Sequence, residues 1–137
     1  MATLTATVIG PENQRYSNVV KYELEPALAI TREAVTVNEA AAKTYQIGTV
    51  LGLVTATGKY KISVQSAVDG SQNPVAVVVE DIAVAATTDT KVLAIVRGPA
   101  IVSKVGLKLD ATFNDAAKLA AAYASLATKW ILANDAI

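Results

Sequence analysis

The densest concentration of polar side chains is in the segment SAVDGSQNPVAVVVED, residues 66–81. Its oxygen donors and its glycine raise the question of a calcium or a phosphate loop. A calcium loop of the form D-x-[DN]-x-[DN]-G needs oxygen ligands at alternate positions. Asp69 and Asn73 fit this pattern loosely, and Gly70 falls in the wrong place. A phosphate loop needs Gly-Lys-Ser or Gly-Lys-Thr before a helix, which this sequence lacks.

Two adjacent acids, Glu80 and Asp81, close this segment and could suggest an acid–base pair. Neighbouring residues of a strand point to opposite faces of the sheet, so adjacency alone does not bring the two carboxylates together. Asp69-Gly70 is a strong turn dipeptide, and Pro74 can begin a strand without the loss of a ladder hydrogen bond. We therefore predict a turn that leads into a buried strand, not a site.

The other candidate groups are scattered. The chain has no histidine and no cysteine, which removes the commonest general base, thiolate metal sites and the usual serine and cysteine hydrolase arrangements. Four further carboxylates are dispersed: Glu33, Glu39, Asp89 and Asp110. Four tyrosines could form a stacking surface for a sugar or a base, although packing at an interface is more usual: Tyr16, Tyr22, Tyr45 and Tyr60. We predict no catalytic residue, no metal and no cofactor.

The chain has 137 residues, a length typical of one domain. Its composition limits the classes of partner that it could bind. Twelve basic and twelve acidic residues cancel, whereas a nucleic-acid binder normally shows a basic stripe. Hydrophobic residues make up 53% and charged residues 18%, which is apolar for a soluble domain. The most apolar long window contains Lys118 and Lys129, which a membrane-spanning helix would exclude. We expect no nucleic acid and no membrane, and we expect protein partners to cover apolar surface.

Strand patterns dominate the chain. Residues 3–9 alternate between small apolar residues and threonine, which predicts a strand: Thr3, Leu4, Thr5, Ala6, Thr7, Val8 and Ile9. Pro26 interrupts residues 19–30, which favours an extended or edge segment there. From residue 34 short strands follow at intervals typical of β-sandwiches and barrels, with a hairpin at Thr57-Gly58. We predict an extended arm over residues 1–33 and a β-rich domain over residues 34–137.

One helix is predicted at about residues 114–130. Asn114 is a good N-cap, and Asp115 suits the positive end of the helix dipole. Four large residues are spaced four, three and four apart, as on the core-packing face of a helix: Leu119, Tyr123, Leu126 and Trp130. Residues 39–47 could be briefly helical or a simple connection.

Three segments in this order resemble the head decoration proteins of tailed bacteriophages of the phage lambda type. They are IGTVLGLVTATGKY at residues 47–60, SAVDGSQNPVAVVVEDI at 66–82 and VLAIVRGPAIVSKVGL at 92–107. The shared features are a Gly-x-Val-Leu-Gly entry, an Asp-Gly-Ser turn, a strand that ends in an acidic pair, an Arg-Gly step and a helix near the C-terminus. The resemblance covers about residues 34–137, whereas residues 1–33 match only as an extended arm.

The resemblance implies a homotrimer on the outer surface of an expanded icosahedral head, where it binds the major capsid protein and clamps neighbouring capsomers. It also implies a mainly β body of barrel or tulip type with one C-terminal helix, and no small-molecule substrate. In that family the arm orders on the capsid by adding a strand to the shell. The strand pattern of Thr3–Ile9 agrees with this, because its backbone groups need a partner.

Two other functions stay open. One is a different structural β-module of the virion, such as a tail-tube, fibre or minor capsid protein. The other is a small carbohydrate-binding or hydrolytic domain that uses the scattered tyrosines and carboxylates, which the absence of histidine and cysteine disfavours.

Overall fold

The computed structural model describes residues 15–135. The predicted strand Thr3–Ile9 lies outside these described residues. The elements of the described part are, in chain order, α1 Tyr16–Val19, β1 Val20–Glu23, a 3₁₀ turn Pro26–Leu28, β2 Arg32–Val37, β3 Lys43–Tyr45, β4 Val50–Leu53, β5 Tyr60–Ile62, β6 Pro74–Val78, β7 Ile82–Val84, β8 Thr90–Ile95, β9 Ala100–Ser103, α2 Ala116–Ala127 and β10 Ile131–Asn134. The prediction of a mainly β protein with one helix near the C-terminus is confirmed.

Five strands form a closed ring in the order β2-β5-β4-β6-β8. The longest pairing is antiparallel, between β2 and β8, and runs from Arg32 opposite Ile95 to Val37 opposite Thr90. The β4–β5 hairpin is antiparallel as predicted, and Gly58 in its turn has a φ of 70°, a conformation that glycine adopts at no steric cost. The tulip-like shape stays a prediction.

Three ring strands, β4, β6 and β8, are buried on both faces. Residues of one face form a core cluster with Tyr45 and Val84 of the two-stranded β3–β7 sheet. Residues of the other face form a second cluster with α2 and the three-stranded sheet β1-β9-β10. Burial on both faces explains why the segment PVAVVV is apolar without alternation, because a strand with one solvated face would alternate.

The three-stranded sheet joins the two ends of the described chain. β1 pairs with β9 antiparallel, and β10 pairs with β9 parallel. β1 therefore lies at an edge of this sheet among the described residues, which agrees with the edge segment predicted around Pro26. Val19 and Thr31 are fully buried, so both are packed into the body, whereas residues 24–30 between them include no buried residue. The division into an arm over residues 1–33 and a domain over residues 34–137 stays a prediction.

The helix α2 differs from its prediction at both ends. Its N-cap is Asp115, whose Oδ1 accepts a hydrogen bond from the Lys118 N–H at 2.8 Å, and not Asn114. Trp130 is not on the buried face: the helix ends at Ala127, and Trp130 has a φ of 60° and is 69% exposed. Leu126 is buried as predicted. No helix of residues 15–135 is long and apolar enough to span a membrane.

Two strands escaped the sequence patterns. The segment 39–47 is neither helix nor plain connection, because it contains β3, which pairs with β7. β10 follows α2 after only three residues, and its residues continue the apolar composition of the helix. A change from the helical to the strand spacing of apolar residues is hard to detect over four residues.

Candidate functional site

The turn at residues 66–73 uses its polar groups internally. Asp69 Oδ1 accepts hydrogen bonds from the Ser71 N–H at 3.0 Å and the Ser71 hydroxyl at 2.5 Å, and Lys61 Nζ lies 2.8 Å from Asp69 Oδ2. The Lys61 ammonium, followed by the Ser71 donors, holds the pKa of Asp69 well below its ordinary range. This is an Asx-type turn, and it confirms the prediction of turn chemistry at this segment.

The same turn packs directly on the ring. Ser71 is fully buried, and its carbonyl accepts a hydrogen bond from the Ser63 hydroxyl at 2.7 Å. A Cβ atom at Gly52 of β4 would lie 2.0 Å from that carbonyl oxygen. Gly52 therefore permits the close approach of the turn to β4, which positions the start of β6.

Replacing Lys61 tests the electrostatics of this turn. In Lys61→Met the pKa of Asp69 should rise towards the ordinary aspartate range, because the ammonium group that stabilises its carboxylate most is lost. Ser71→Ala should raise it by a smaller amount, and Lys43→Met on β3 should leave it unchanged. Titration of the side-chain carboxyl by NMR measures all three. An Asp69 pKa that does not move in Lys61→Met would show that the ion pair is not formed in solution.

Glu80 and Asp81 act on separate backbone groups. Glu80 Oε1 accepts from the Leu93 N–H at 2.9 Å, and Asp81 Oδ1 accepts from the Ile47 N–H at 3.0 Å. Leu93 lies within β8 and Ile47 lies between β3 and β4, so the two carboxylates bind separate parts of the backbone. This agrees with the expectation that adjacency alone does not bring the two carboxylates together.

The other carboxylates are equally dispersed. Each has its own partner: Glu33 with Arg97 at 2.5 Å, Glu39 with Tyr45 at 2.6 Å, Asp89 with Lys59 at 2.9 Å, and Asp110 with Thr112 at 2.7 Å. Within residues 15–135 no group of three or more acidic side chains is placed to hold a metal ion.

The four tyrosines do not form a stacking surface. Tyr45 is fully buried, the ring of Tyr16 lies under the Arg32 guanidinium at 4.9 Å, and Tyr22 is exposed on β1. A cleft of about 410 Å³ lies between the turn and α2, and no tyrosine lines it. A second cleft, of about 400 Å³, is lined by Tyr16 and Tyr22 together with Arg32. Two of the four tyrosines therefore share a cleft, and the other two do not line it.

Tyr45 and Glu39 form a buried polar pair. Glu39 is 5% exposed, and its Oε1 accepts hydrogen bonds from the Tyr45 hydroxyl and from the Ile62 N–H at 2.7 Å. Burial, followed by the hydrogen bond and the charge of Glu39, raises the pKa of Tyr45. The pair joins β3 to β5, so it connects the two-stranded sheet to the ring.

Tyr45→Phe should lower the free energy of unfolding by about 2 kcal/mol, because a buried carboxylate loses a donor. The raised pKa predicts a further effect: the neutral phenol stabilises the fold fully below about pH 10, and this stability is lost as the pH rises further. The loss of wild-type stability above pH 10 should therefore be smaller in Tyr45→Phe. Urea denaturation from pH 7 to 11 measures both effects. The exposed Tyr22→Phe is the control, and equal urea midpoints for the two variants would contradict the prediction.

A second buried cluster fixes the start of the described chain. Glu23 of β1 accepts hydrogen bonds from the Thr31 hydroxyl at 2.5 Å and from Arg32, whose Nη2 lies 2.6 Å away. Arg32 Nη2 also donates to the Tyr16 hydroxyl at 2.9 Å. Burial opposes ionisation of Glu23, but the donors and the charge of Arg32 outweigh it and lower the pKa of this carboxyl. The cluster joins α1 and β1 to β2 at the start of the described residues.

The family comparison gives this arrangement its context. The family model described as bacteriophage lambda head decoration protein D matches residues 11–131. The chain belongs to this family. No curated protein matches the sequence. Membership supports a role as a structural component of the phage head that decorates the capsid, in a family that is not one of enzymes.

Proposed function

We propose that this protein binds the outside of the expanded phage head as a homotrimer and clamps neighbouring capsomers through contacts with the major capsid protein. The observation that carries the proposal is the family match over residues 11–131, which spans nearly all of the described body. The body can act as a rigid unit, because one core joins the ring to the β3–β7 sheet and a second core joins the ring to α2 and the three-stranded sheet.

The segment proposed to bind the shell is Thr3–Ile9. Its alternating pattern suits a strand that pairs with a sheet edge of the major capsid protein, where main-chain hydrogen bonds supply affinity. The Glu23–Arg32 cluster would fix the start of the body to which the arm is attached. Binding of the arm to the shell would therefore also hold the body on the capsid. Ordering of the arm on the capsid would offset part of the affinity gained.

The direct test uses expanded heads assembled without the protein. Purified protein should sediment with these heads, saturate them in multiples of three copies, and raise the temperature at which they rupture. Unexpanded heads are the control and should bind less. Failure to bind expanded heads would refute the proposal, and assembly into rings or fibres in solution would instead favour another structural module of the virion.

A further inference from the structure

Exposed apolar side chains are concentrated on both flanks of β9. Seven large apolar residues are exposed among residues 15–135, and five of them lie in two short segments: Tyr22, Leu28, Ile30, Trp130 and Leu132. Tyr22 and Leu132 are both opposite Ile101 in the sheet register, so these three residues form one apolar row across the sheet. We call residues 22–30 the loop surface and residues 129–132 the tryptophan surface. Contiguous exposed apolar residues of this kind mark an interface.

The loop surface is an ordered apolar projection. Residues 24–30, LEPALAI, include no buried residue. Their backbone is nevertheless fixed, because the Leu28 N–H donates to the Glu25 carbonyl at 2.9 Å and Arg97 Nη1 donates to the Ile30 carbonyl at 2.8 Å. Leu28 is 70% exposed at its tip. A preordered apolar loop loses little conformational entropy when a partner covers it.

The tryptophan surface is held just as firmly. The carbonyls of Lys129 and Trp130 accept hydrogen bonds from the Gly98 and Ala100 N–H groups at 2.7 and 3.1 Å. A Cβ at Gly98 would lie 1.8 Å from the Trp130 carbonyl oxygen, so glycine is needed for this approach. The result is a positive φ at Trp130 and an indole left 69% exposed. Tryptophan is among the residues that contribute most to binding energy at interfaces.

The charges beside the two surfaces differ in sign. Glu25 lies in the loop surface and Lys129 begins the tryptophan surface, and both are exposed. Neither forms an ion pair within the described part of the chain. A contact of either surface with its own copy would place like charges together, whereas a contact between the two surfaces would place Glu25 near Lys129. Cyclic assemblies use two different complementary surfaces in this way.

We propose that a second copy of this chain covers this patch head to tail: the loop surface of one copy packs on the tryptophan surface of the next, with Glu25 of one copy beside Lys129 of its neighbour. Leu28 and Trp130 are the main apolar anchors of the contact. The inference rests on the homotrimer of the proposed function and specifies which surfaces close it.

Two single variants and their mixture test the geometry. Leu28→Glu and Trp130→Glu should each weaken self-association by about 100-fold or more, and Val68→Glu, at a residue that is 95% exposed elsewhere, should not. Sedimentation velocity should show trimers for the wild type and Val68→Glu, and monomers for the two surface variants. A mixture of the two surface variants should form dimers, because one intact contact remains but the ring cannot close.

Charge reversal and fluorescence give independent measurements. Glu25→Lys and Lys129→Glu should each weaken the trimer, and the double variant should recover most of the lost affinity. Trp130 is the only tryptophan, so wild-type emission should shift to the blue on assembly and should not do so in Leu28→Glu. This readout keeps the test valid if Trp130→Glu does not fold.

Several outcomes would overturn the interface. They are a wild type that does not self-associate, surface variants that form trimers as tight as the wild type, and a variant mixture that stays monomeric. Variants that stay trimeric but lose affinity for heads would assign the patch to the capsid shell and so refute the interface. A wild-type trimer that needs both surfaces but binds no expanded head would refute the proposed function and leave the interface intact.

Discussion

Deleting residues 2–14 should lower the affinity for expanded heads by about 100-fold or more, without lowering the midpoint of thermal unfolding. The deletion removes the whole of Thr3–Ile9, whose main-chain groups are proposed to pair with the shell. It stops before α1, so the buried Val19 and Glu23 keep their contacts. Binding is measured by co-sedimentation with heads, and unfolding by circular dichroism.

Point variants test whether the arm binds by pairing as a strand or whether its presence alone is enough. Thr5→Pro removes a backbone donor within the proposed strand and should weaken head binding markedly, while Thr5→Ala should not. A deletion of residues 2–30 is unsuitable, because it removes β1 and the buried carboxylate of Glu23 and should unfold the protein. Unchanged head affinity in the deletion of residues 2–14 would rule out the arm as the capsid-binding segment.

The second large effect is expected at Arg32. Its guanidinium neutralises Glu23, whose side chain is 1% exposed, while that of Arg32 is 24% exposed. Arg32→Ala leaves the carboxylate buried with Thr31 as its remaining side-chain donor, and should lower the free energy of unfolding by about 3 kcal/mol. That is a large share of the total stability of a small domain. Urea denaturation at pH 7 measures the loss.

Two controls and the pH dependence test the mechanism. Arg97→Ala removes an ion pair with Glu33 whose side chains are about half exposed, and should cost less than about 1 kcal/mol. Arg32→Lys keeps the charge but not the forked geometry, and should be intermediate. The lowered pKa of Glu23 stabilises the wild type above about pH 4.5, and this stability is lost as the pH falls through the lowered value. The difference in the free energy of unfolding between wild type and Arg32→Ala should therefore become smaller in acid. A difference that becomes larger would contradict the account.

The elements with a strong local pattern were predictable. Alternation, turn dipeptides and alanine-rich spacing identify the β4–β5 hairpin, the strand after Pro74 and α2, because these depend on neighbours in sequence. β10 was not predictable, since its pairing with β9 is parallel and joins residues about thirty positions apart. Trp130 was misplaced for a related reason: the helix spacing continues through it, but the hydrogen bonds to Gly98 and Ala100 redirect the chain.

Composition predicted no catalytic or metal site, but it could not predict the positions of the interaction surfaces. Glu23 and Arg32 are nine residues apart across a proline-containing loop, and no local rule pairs them. The row of Tyr22 and Leu132 exists only because both strands flank β9. The order of the motifs suggested the family, but the pairing of β1 and β10 with β9 was needed to locate the apolar patch.

A cryo-electron microscopy map of expanded heads saturated with the protein tests the central claim most directly. The account predicts trimers on the outer surface at three-fold and quasi-three-fold positions, with continuous density from residues 3–9 added as a strand to the major capsid protein. Density inside the head, on the tail, or absent from the shell would contradict it.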